Sequence, residues 1–245
     1  MEILGDGFLG RSLRPLAGSH PGVLLLARGV STTREVPRSA YDREAAMVRD
    51  LVRHCRRGNL LLVFLSTASA ALYGAPGCPG REDAEVVPSS PYGRHKLALE
   101  GVVRESGVRH LILRLSHVVG PHQPSHQLLP SLARSVVIGT VEIHRGAYRD
   151  LIGVPAVRTI VDALLTAGVS QEVVNVASGV LVTIEQIVDH VELRLGVTAR
   201  REFVDAPARH PVSVEKLRRL IPDVADLGFQ PGYYRTVIDH YLEVP

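Results

Sequence analysis

Continuous apolar runs alternate with stretches of helical periodicity, and this alternation constrains the fold more than any other feature of the chain. The runs 23–27, 60–65 and 111–115 carry few polar side chains, which is typical of parallel strands buried on both faces. Between the first two runs, residues 41–57 repeat apolar side chains at the helical period. Strands separated by helices predict an α/β fold with a parallel sheet.

Length, composition and charge exclude several classes of protein. The 245 residues are 45% hydrophobic and 22% charged, which suits a globular chain rather than a disordered one. The net charge of +3 is spread without a basic stripe, which argues against a nucleic-acid partner. Cys55 and Cys78 form no disulfide framework, no apolar stretch could span a membrane, and the N-terminus lacks a signal-peptide pattern. We therefore expect a cytoplasmic protein without a membrane partner.

A glycine-rich turn stands between the first predicted strand and the first predicted helix. It has the form Gly-x-Gly-x-x-Gly and comprises Gly5, Gly7, Phe8, Leu9 and Gly10. Missing Cβ atoms let the backbone approach a pyrophosphate, and the helix N-terminus supplies N–H donors. The turn is predicted to bind a dinucleotide cofactor; the alternative is a glycine turn without a ligand.

Tyr92 and Lys96 are four residues apart, so on a helix they share one face. There the ammonium lowers the pKa of the phenol, which can then exchange a proton with a substrate oxygen. Such pairs are common by chance on helix surfaces. Lys96, however, is one of only two lysines in an arginine-rich chain, which favours a function. Ser69 lies in a small-residue turn, STASAALYG, directly after a buried strand.

Taken in order, these motifs resemble the extended short-chain dehydrogenase/reductase family, also called the NAD-dependent epimerase/dehydratase family. The segments LILRLSHVVGP, YRDLIGV and VVNVASG extend the resemblance over nearly the whole chain. It implies that Tyr92 is the acid/base, that Lys96 tunes it and holds the nicotinamide ribose, and that Ser69 polarises a substrate carbonyl. Thr67 is a less favoured substitute for Ser69. Such donors suit an oxygen on which negative charge grows as hydride arrives.

The nucleotide-binding half is shorter than this resemblance implies, by about two β/α units. Residues 22–31 match the family's second strand by their distance from Gly10, and its fourth strand by the helix that follows. If the strand is the second, Arg28 at its end suits the 2′-phosphate of NADP, because no acidic residue is there to bind a ribose hydroxyl. NADP(H) is therefore favoured, and NAD(H) is possible.

The expected architecture is a Rossmann-like doubly wound parallel sheet with a small C-terminal substrate lobe. Residues 1–121 would form the dinucleotide-binding core. Residues 122–245 would complete the sheet and form the lobe. The resemblance also implies a possible homodimer through the helices near 41–57 and 93–105.

Three residues are predicted to bind the substrate. Arg149 lies in a segment whose arginine, by resemblance, binds a substrate diphosphate, and guanidinium groups suit phosphate oxygens. Arg209 is near the place of a second such arginine, and His117 stands where an asparagine commonly meets the substrate. These residues favour a nucleotide-sugar substrate. His122 and His126 lack a third ligand, so no metal site is predicted.

The resemblance also narrows the reaction. Ala70 and Ala71 occupy the places of the Asp and Glu that carry out 4,6-dehydration, and the turn around Ser69 lacks the cysteine of double epimerases. A ketoreductase acting on a nucleotide-activated keto-deoxysugar in secondary metabolism, such as antibiotic biosynthesis, is the leading interpretation. The alternatives are a nucleotide-sugar 4-epimerase with retained NAD, a reductase of another natural-product carbonyl, and a non-catalytic cofactor-sensing regulator.

Overall fold

A computed structural model describes residues 1–243, which form a five-stranded sheet, a second sheet and nine α-helices. The strands are β1 (Glu2–Leu4), β2 (Val23–Leu26), β3 (Leu61–Thr67), β4 (His110–Leu115), β5 (His117–Val119), β6 (Thr140–Gly153), β7 (Glu172–Val176), β8 (Leu181–Thr183) and β9 (Arg200–Ala208). The helices are α1 (Phe8–Leu13), α2 (Arg38–Gly58), α3 (Ala70–Tyr73), α4 (Pro91–Glu105), α5 (Leu128–Ile138), α6 (Val154–Thr166), α7 (Ile184–Leu195), α8 (Glu215–Leu220) and α9 (Tyr233–Glu243).

The five-stranded sheet is parallel throughout and has the order β1-β2-β3-β4-β7. Successive side chains of a strand point to opposite faces, and β2 shows this clearly. Leu24 packs in a core cluster with Val48 of α2 and Val103 of α4, whereas Leu25 packs in a second cluster with Ile160 of α6. Both faces of the sheet are therefore covered by helices, and the predicted doubly wound α/β fold is confirmed.

The place of β2 in the sheet decides whether residues 22–31 correspond to the second or the fourth strand of the doubly wound order. Leu24 of β2 pairs with Glu2 of β1 on one side and with Leu62 of β3 on the other. In the doubly wound order 3-2-1-4-5-6, the strand next to the first on this side is the fourth. Strand β2 therefore takes the fourth place. Within residues 1–243 no strand covers the outer edge of β1, so the nucleotide-binding half is shortened as expected.

The second sheet is organised around β6, which is 14 residues long. Strands β5 and β9 pair with β6 in parallel, and β8 pairs with it antiparallel. Side chains of α5, α7 and α9 join β6 in a separate core cluster that includes Leu129, Ile143, Val188 and Ile238. None of the helices described within 1–243 combines the length and apolarity needed to cross a membrane.

Candidate active site

A cleft of about 610 Å³ lies where β1, β2, β3 and β4 reach their carboxyl ends. This edge is where ligands bind in open α/β sheets. Most of the predicted site residues line the cleft, namely Gly7, Phe8, Leu9, Arg28, Ser69, Tyr92, Lys96, His117 and Arg149. The fold thus brings together residues that are far apart in the sequence.

The glycine turn forms one wall of the cleft, and its geometry fits a dinucleotide. A Cβ on Gly5, which has a φ of +124°, would lie 2.4 Å from the carbonyl oxygen of Ala27, and a Cβ on Gly10 would lie 2.2 Å from that of Gly5. These two glycines therefore let the turn pack closely against the end of β2. A Cβ on Gly7 would meet nothing within 4 Å. Gly7 thus leaves open space beside the backbone, where a pyrophosphate could approach.

Ser69 is held at the start of α3 by three hydrogen bonds. Its Oγ accepts a bond of 2.9 Å from the Thr67 hydroxyl and a bond of 3.3 Å from the backbone N–H of Ala71. The backbone N–H of Ser69 donates back to Thr67 Oγ1 at 3.1 Å. Because both acceptor positions of Ser69 Oγ are used, its own O–H is the group that can donate to a carbonyl in the cleft. Thr67 thus contacts both the hydroxyl and the backbone N–H of Ser69, and both side chains line the cleft.

Close packing between two helices brings Tyr92 to the same wall. Tyr92 is in the first turn of α4, where Ser90 Oγ accepts from the backbone N–H of Gly93 at 3.0 Å. A Cβ on Gly93 would lie 1.9 Å from the carbonyl oxygen of Ala71, so only glycine lets α4 approach α3 this closely. The phenol of Tyr92 is therefore placed beside the turn that carries Ser69.

The pKa of the Tyr92 phenol reflects competing influences. Burial raises this pKa, because the charged phenolate is poorly solvated there, and the negative charge of Glu44 raises it further. The Lys96 ammonium and the side chain of Thr67 oppose the rise. The Lys96 Nζ atom lies 5.9 Å from the centre of the Tyr92 ring. Tyr92 and Lys96 therefore share one side of α4 as expected, but the pKa of the phenol is raised overall.

Lys96 has a partner that the sequence analysis missed. Its Nζ donates a hydrogen bond of 2.8 Å to Oε1 of Glu44 on α2, and both side chains are buried. The other carboxylate oxygen, Oε2, lies 3.0 Å from His95 Nε2 and accepts from the backbone N–H of Val30 at 2.9 Å. Burial disfavours the ionised form of Glu44, but the bonds from His95, Lys96 and Val30 outweigh it and lower its pKa to about 2.

Glu44 could have been noticed from the helical pattern alone. It lies three residues after Tyr41 and four before Val48, on the apolar face of the predicted helix. A carboxylate on a buried face needs a partner, because an unpaired buried charge is costly. The pattern signals that a partner exists, but it does not identify Lys96.

The other end of the cleft is rich in nitrogen donors. Arg149 Nη1 donates to the carbonyl oxygen of Tyr148 at 2.7 Å, and no carboxylate in residues 1–243 forms an ion pair with this guanidinium. Burial lowers the pKa of Arg149. It also lowers the pKa of His117 to about 3 and that of His210 to about 4, in both cases with help from the positive charge of Arg149. Both imidazoles are therefore neutral at neutral pH.

Two residues of this end differ from expectation. Arg209 is exposed, stacks 5.3 Å from the centre of the Tyr148 ring, and is absent from the cleft lining, so the structure does not bring it to the site. Its neighbour His210 is buried beside Arg149, although His210 too is absent from the cleft lining. Residues alternate between faces along β9 and just beyond it, so one position decides which of the two points inward. No motif in the sequence signals His210.

A buried polar network lies beneath the turn that holds Ser69. Arg114 on β4 forms an ion pair of 2.7 Å with Glu100 on α4 and donates to the Tyr73 hydroxyl at 2.7 Å. Tyr73 in turn donates to Asn175 Oδ1 at 2.8 Å. Glu100 also accepts from Ser66 at 2.5 Å. The network fixes α3 and α4 against the sheet and so fixes the position of Ser69 relative to Tyr92.

Comparison with known proteins decides the family. A model of the NAD dependent epimerase/dehydratase family matches residues 16–177, about two thirds of the chain. The chain belongs to this family. The epimerase/dehydratase family is the one that the glycine turn, the serine turn and the Tyr92–Lys96 pair resemble, so that prediction is confirmed.

Individual family members agree with this assignment. A UDP-glucose 4-epimerase of Azospirillum brasilense is 41% identical over 90 residues, which are 34% of this chain and 25% of that protein. A dTDP-6-deoxy-L-talose 4-dehydrogenase (NAD(P)(+)) of Kitasatospora kifunensis is 33% identical over 159 residues, which are 60% of this chain and 50% of that protein. The chain thus spans between a quarter and a half of the length of these curated relatives.

Solved structures of the epimerase/dehydratase family share the fold. The structure of MoeE5 in complex with UDP-glucose and NAD superimposes with a TM-score of 0.80 at 20% identity, and the match covers 99% of this chain and 98% of that one. At this level of identity the likeness establishes the architecture alone.

Proposed function

We propose that this member of the epimerase/dehydratase family is an NAD(P)H-dependent ketoreductase that acts on a nucleotide-activated keto-deoxysugar. The observation that supports the proposal most directly is the arrangement of Ser69, Tyr92 and Lys96 in one cleft, with Gly7 on another part of its lining. Side chains that can donate to a carbonyl oxygen thus share the cleft with a turn that fits a dinucleotide. Pocket geometry of this kind is the basis for assigning acid–base roles.

The chain's own residues account for the proton chemistry. The hydroxyls of Ser69 and Tyr92 donate hydrogen bonds to the substrate oxygen, where negative charge develops, and Tyr92 completes the proton transfer. Lys96 stabilises the phenolate that remains, and the two ammonium hydrogens not bonded to Glu44 can bind the nicotinamide ribose. The bound nicotinamide cofactor supplies the hydride. The glycine turn, from Gly5 to Gly10, would hold its pyrophosphate.

Arg149 supports a substrate that carries a diphosphate. Its guanidinium lines the cleft without a carboxylate partner among residues 1–243, and His117 and His210 flank it as neutral rings. An unneutralised guanidinium with neighbouring donors suits phosphate oxygens. The two sequence relatives are, by name, enzymes that act on UDP- and dTDP-linked sugars, which agrees with this choice.

A 4-epimerase with tightly held NAD is the second candidate. The relative from Azospirillum brasilense is a UDP-glucose 4-epimerase, and oxidation followed by return of the hydride needs the same Ser69, Tyr92 and Lys96. The two candidates differ in what happens to the cofactor. A ketoreductase consumes reduced cofactor stoichiometrically, whereas an epimerase regenerates the cofactor within each turnover.

The choice of cofactor is also part of the proposal. NADP(H) would be favoured if Arg28 followed the second strand. In the structure Arg28 follows a strand in the fourth place, so this reason for preferring NADP(H) is lost. We therefore propose both NADP(H) and NAD(H) as cofactors. The relative from Kitasatospora kifunensis carries NAD(P)(+) in its name. Several other expectations stay predictions. They are reduction of another natural-product carbonyl, a regulatory role, a place in antibiotic biosynthesis, a cytoplasmic location and a homodimer through α2 and α4.

Replacement of the phenol tests the proposal. Tyr92→Phe should abolish turnover of a dTDP- or UDP-linked 4-keto sugar, measured from NADPH or NADH absorbance, and leave cofactor affinity within a few-fold. Tyr234→Phe is the matched control, because Tyr234 stacks on His190 in the lobe, outside the cleft, and should behave like the unmodified protein. Turnover by Tyr92→Phe at the unmodified rate would exclude Tyr92 as the acid. Interconversion of the two 4-epimers of a nucleotide-linked sugar without net cofactor consumption would favour the epimerase.

A further inference from the structure

The Glu44 carboxylate joins three parts of the molecule that meet at the cleft. It is on α2 and binds Lys96 and His95 on α4 as well as the backbone N–H of Val30 in the loop after β2. That loop lines the cleft from Arg28 to Arg34. Lys96 is therefore tied to the loop through one buried carboxylate.

The loop is shaped to allow this contact. Gly29 has a φ of +144°, and a Cβ at this position would lie 2.2 Å from Oε1 of Glu44. A residue with a side chain would displace the carboxylate from Lys96. The backbone of Gly29 and the side chain of Glu44 thus fit each other closely.

The Lys96 ammonium and the Glu44 carboxylate form a buried pair of opposite charges. Glu44 and Lys96 are 3% and 5% exposed, so their charges are poorly screened by water. The groups that face this pair are His95 and Tyr92 from α4, Tyr41 from α2, and Phe64 and Thr67 from β3. None of these groups carries a negative charge while Tyr92 is protonated. Glu44 is therefore the one carboxylate, among the described residues in contact with Lys96, that can hold its ammonium in place.

We propose that Glu44 is a positioning residue for the reaction: it holds the Lys96 ammonium at a fixed distance from Tyr92 and couples that position to the cofactor-side loop. The inference rests on the role proposed for Lys96. Glu44 itself touches neither substrate nor cofactor in this scheme. It acts through the position and the charge of Lys96.

Chemical labelling of lysine tests this role without any substrate. The chain has two lysines, so the second one is an internal reference. This is Lys216 of α8, which pairs with Glu172 of β7. Trinitrobenzenesulfonate reacts with unprotonated amines, and peptide mass spectrometry resolves the two sites. Glu44→Gln should raise the labelling rate of Lys96 about tenfold relative to Lys216, because the amine is no longer held in a 2.8 Å ion pair with the carboxylate.

Two further variants separate positioning from simple loss of stability. Glu192→Gln is the matched control, since Glu192 is also a buried carboxylate that binds an arginine, Arg201, and a backbone N–H, that of Ala199. It should leave the labelling ratio unchanged. Glu44→Asp keeps the charge on a shorter side chain, so the rise should be smaller than for Glu44→Gln. If Glu44→Gln does not fold, the labelling of Lys96 in Glu44→Asp tests the role of Glu44 by itself.

The pH profile of turnover gives a second readout. Reduction requires protonated Tyr92, so its rate falls as the pH rises through the pKa of the phenol. Glu44→Gln changes both the charge of the carboxylate and the position of the Lys96 ammonium beside the phenol, so it should shift the alkaline fall in rate, whereas Glu192→Gln should not. Folded Glu44 variants with unchanged Lys96 labelling would overturn the inference. Absence of turnover in the unmodified protein would instead count against the proposed function, and the labelling would still decide the role of Glu44.

Discussion

Arg149 and Asp150 are adjacent in β6, yet their side chains lie on opposite faces of the strand, as successive strand residues must. Arg149 lines the cleft. Asp150 is 2% exposed and accepts hydrogen bonds of 2.9 Å from Ser116 Oγ, 2.9 Å from Ser178 N and 2.7 Å from Gly179 N. Burial raises the pKa of Asp150 to about 6 although these bonds oppose the rise. The Asp150 carboxylate, although adjacent in sequence, therefore does not neutralise the Arg149 guanidinium.

Arg149→Ala should raise the KM for a nucleotide-linked sugar about tenfold or more, with a smaller change in kcat. Charge-assisted hydrogen bonds contribute about 1.5 to 3 kcal/mol each, and a diphosphate remote from the reacting carbon binds alike in ground and transition states. Steady-state kinetics with the nucleotide-linked sugar and with the free keto-sugar measure this effect. The free keto-sugar should be a far poorer substrate of the unmodified protein.

Arg145→Ala is the control for this substitution, because Arg145 is an exposed arginine of the same strand that stacks 4.3 Å from the centre of the Phe203 ring. It should leave both kinetic constants unchanged. If Arg149→Ala also left KM unchanged, the nucleotide-sugar substrate would lose its main support, and another carbonyl compound would become the leading substrate.

Arg28→Ala should weaken NADPH and NADH to a similar extent. In a doubly wound sheet the residue that discriminates at the adenosine ribose follows the second strand, whereas Arg28 follows a strand in the fourth place. Titration of each reduced cofactor, followed by its fluorescence, measures the two dissociation constants. A loss of tenfold or more confined to NADPH would show that Arg28 binds the 2′-phosphate despite the position of its strand.

Arg114→Met should destabilise the fold by about 3 to 5 kcal/mol, because it leaves Glu100 buried without its ionic partner. Urea unfolding at neutral pH measures the free energy of unfolding. Arg53→Met removes an arginine from an exposed pair with Asp50 and should change stability by less than about 1 kcal/mol. Equal effects of the two substitutions would show that the Arg114 network contributes no more than a surface pair.

The stability that Glu44 contributes should disappear in acid. Its pKa falls from an ordinary 4.5 to about 2 in the folded chain, so the contribution is complete above pH 4.5 and is lost as the pH falls toward 2. The shift corresponds to roughly 3 kcal/mol. The difference in unfolding free energy between the unmodified protein and Glu44→Gln should therefore shrink across this interval, as measured by urea titrations at several pH values. A difference that stayed constant down to pH 2.5 would contradict the ion pair.

Local patterns in the sequence were sufficient for the elements and for part of the site. The apolar runs 23–27, 60–65 and 111–115 became β2, β3 and β4, and the helical period of residues 41–57 became part of α2. The glycine turn and the Tyr92–Lys96 pair were identified because close backbone approach and a shared helix face depend on residues a few positions apart. The long strand β6 was not predicted, since only its second half, the YRDLIGV segment, carries a recognisable pattern.

Neighbour relations across the sheet and between helices were decided by the tertiary structure alone. The distance of residues 22–31 from Gly10 suits the second strand and the helix that follows suits the fourth, and only hydrogen bonding to both β1 and β3 distinguishes the two. Glu44 meets Lys96 across 52 positions because α2 and α4 pack on the same face of the sheet. Just after β9, His210 is buried beside Arg149 whereas Arg209 is exposed, and the sequence does not signal which of the two neighbours lies inward. Sequence specifies which side chains require partners, and the packing of distant elements determines which partners they find.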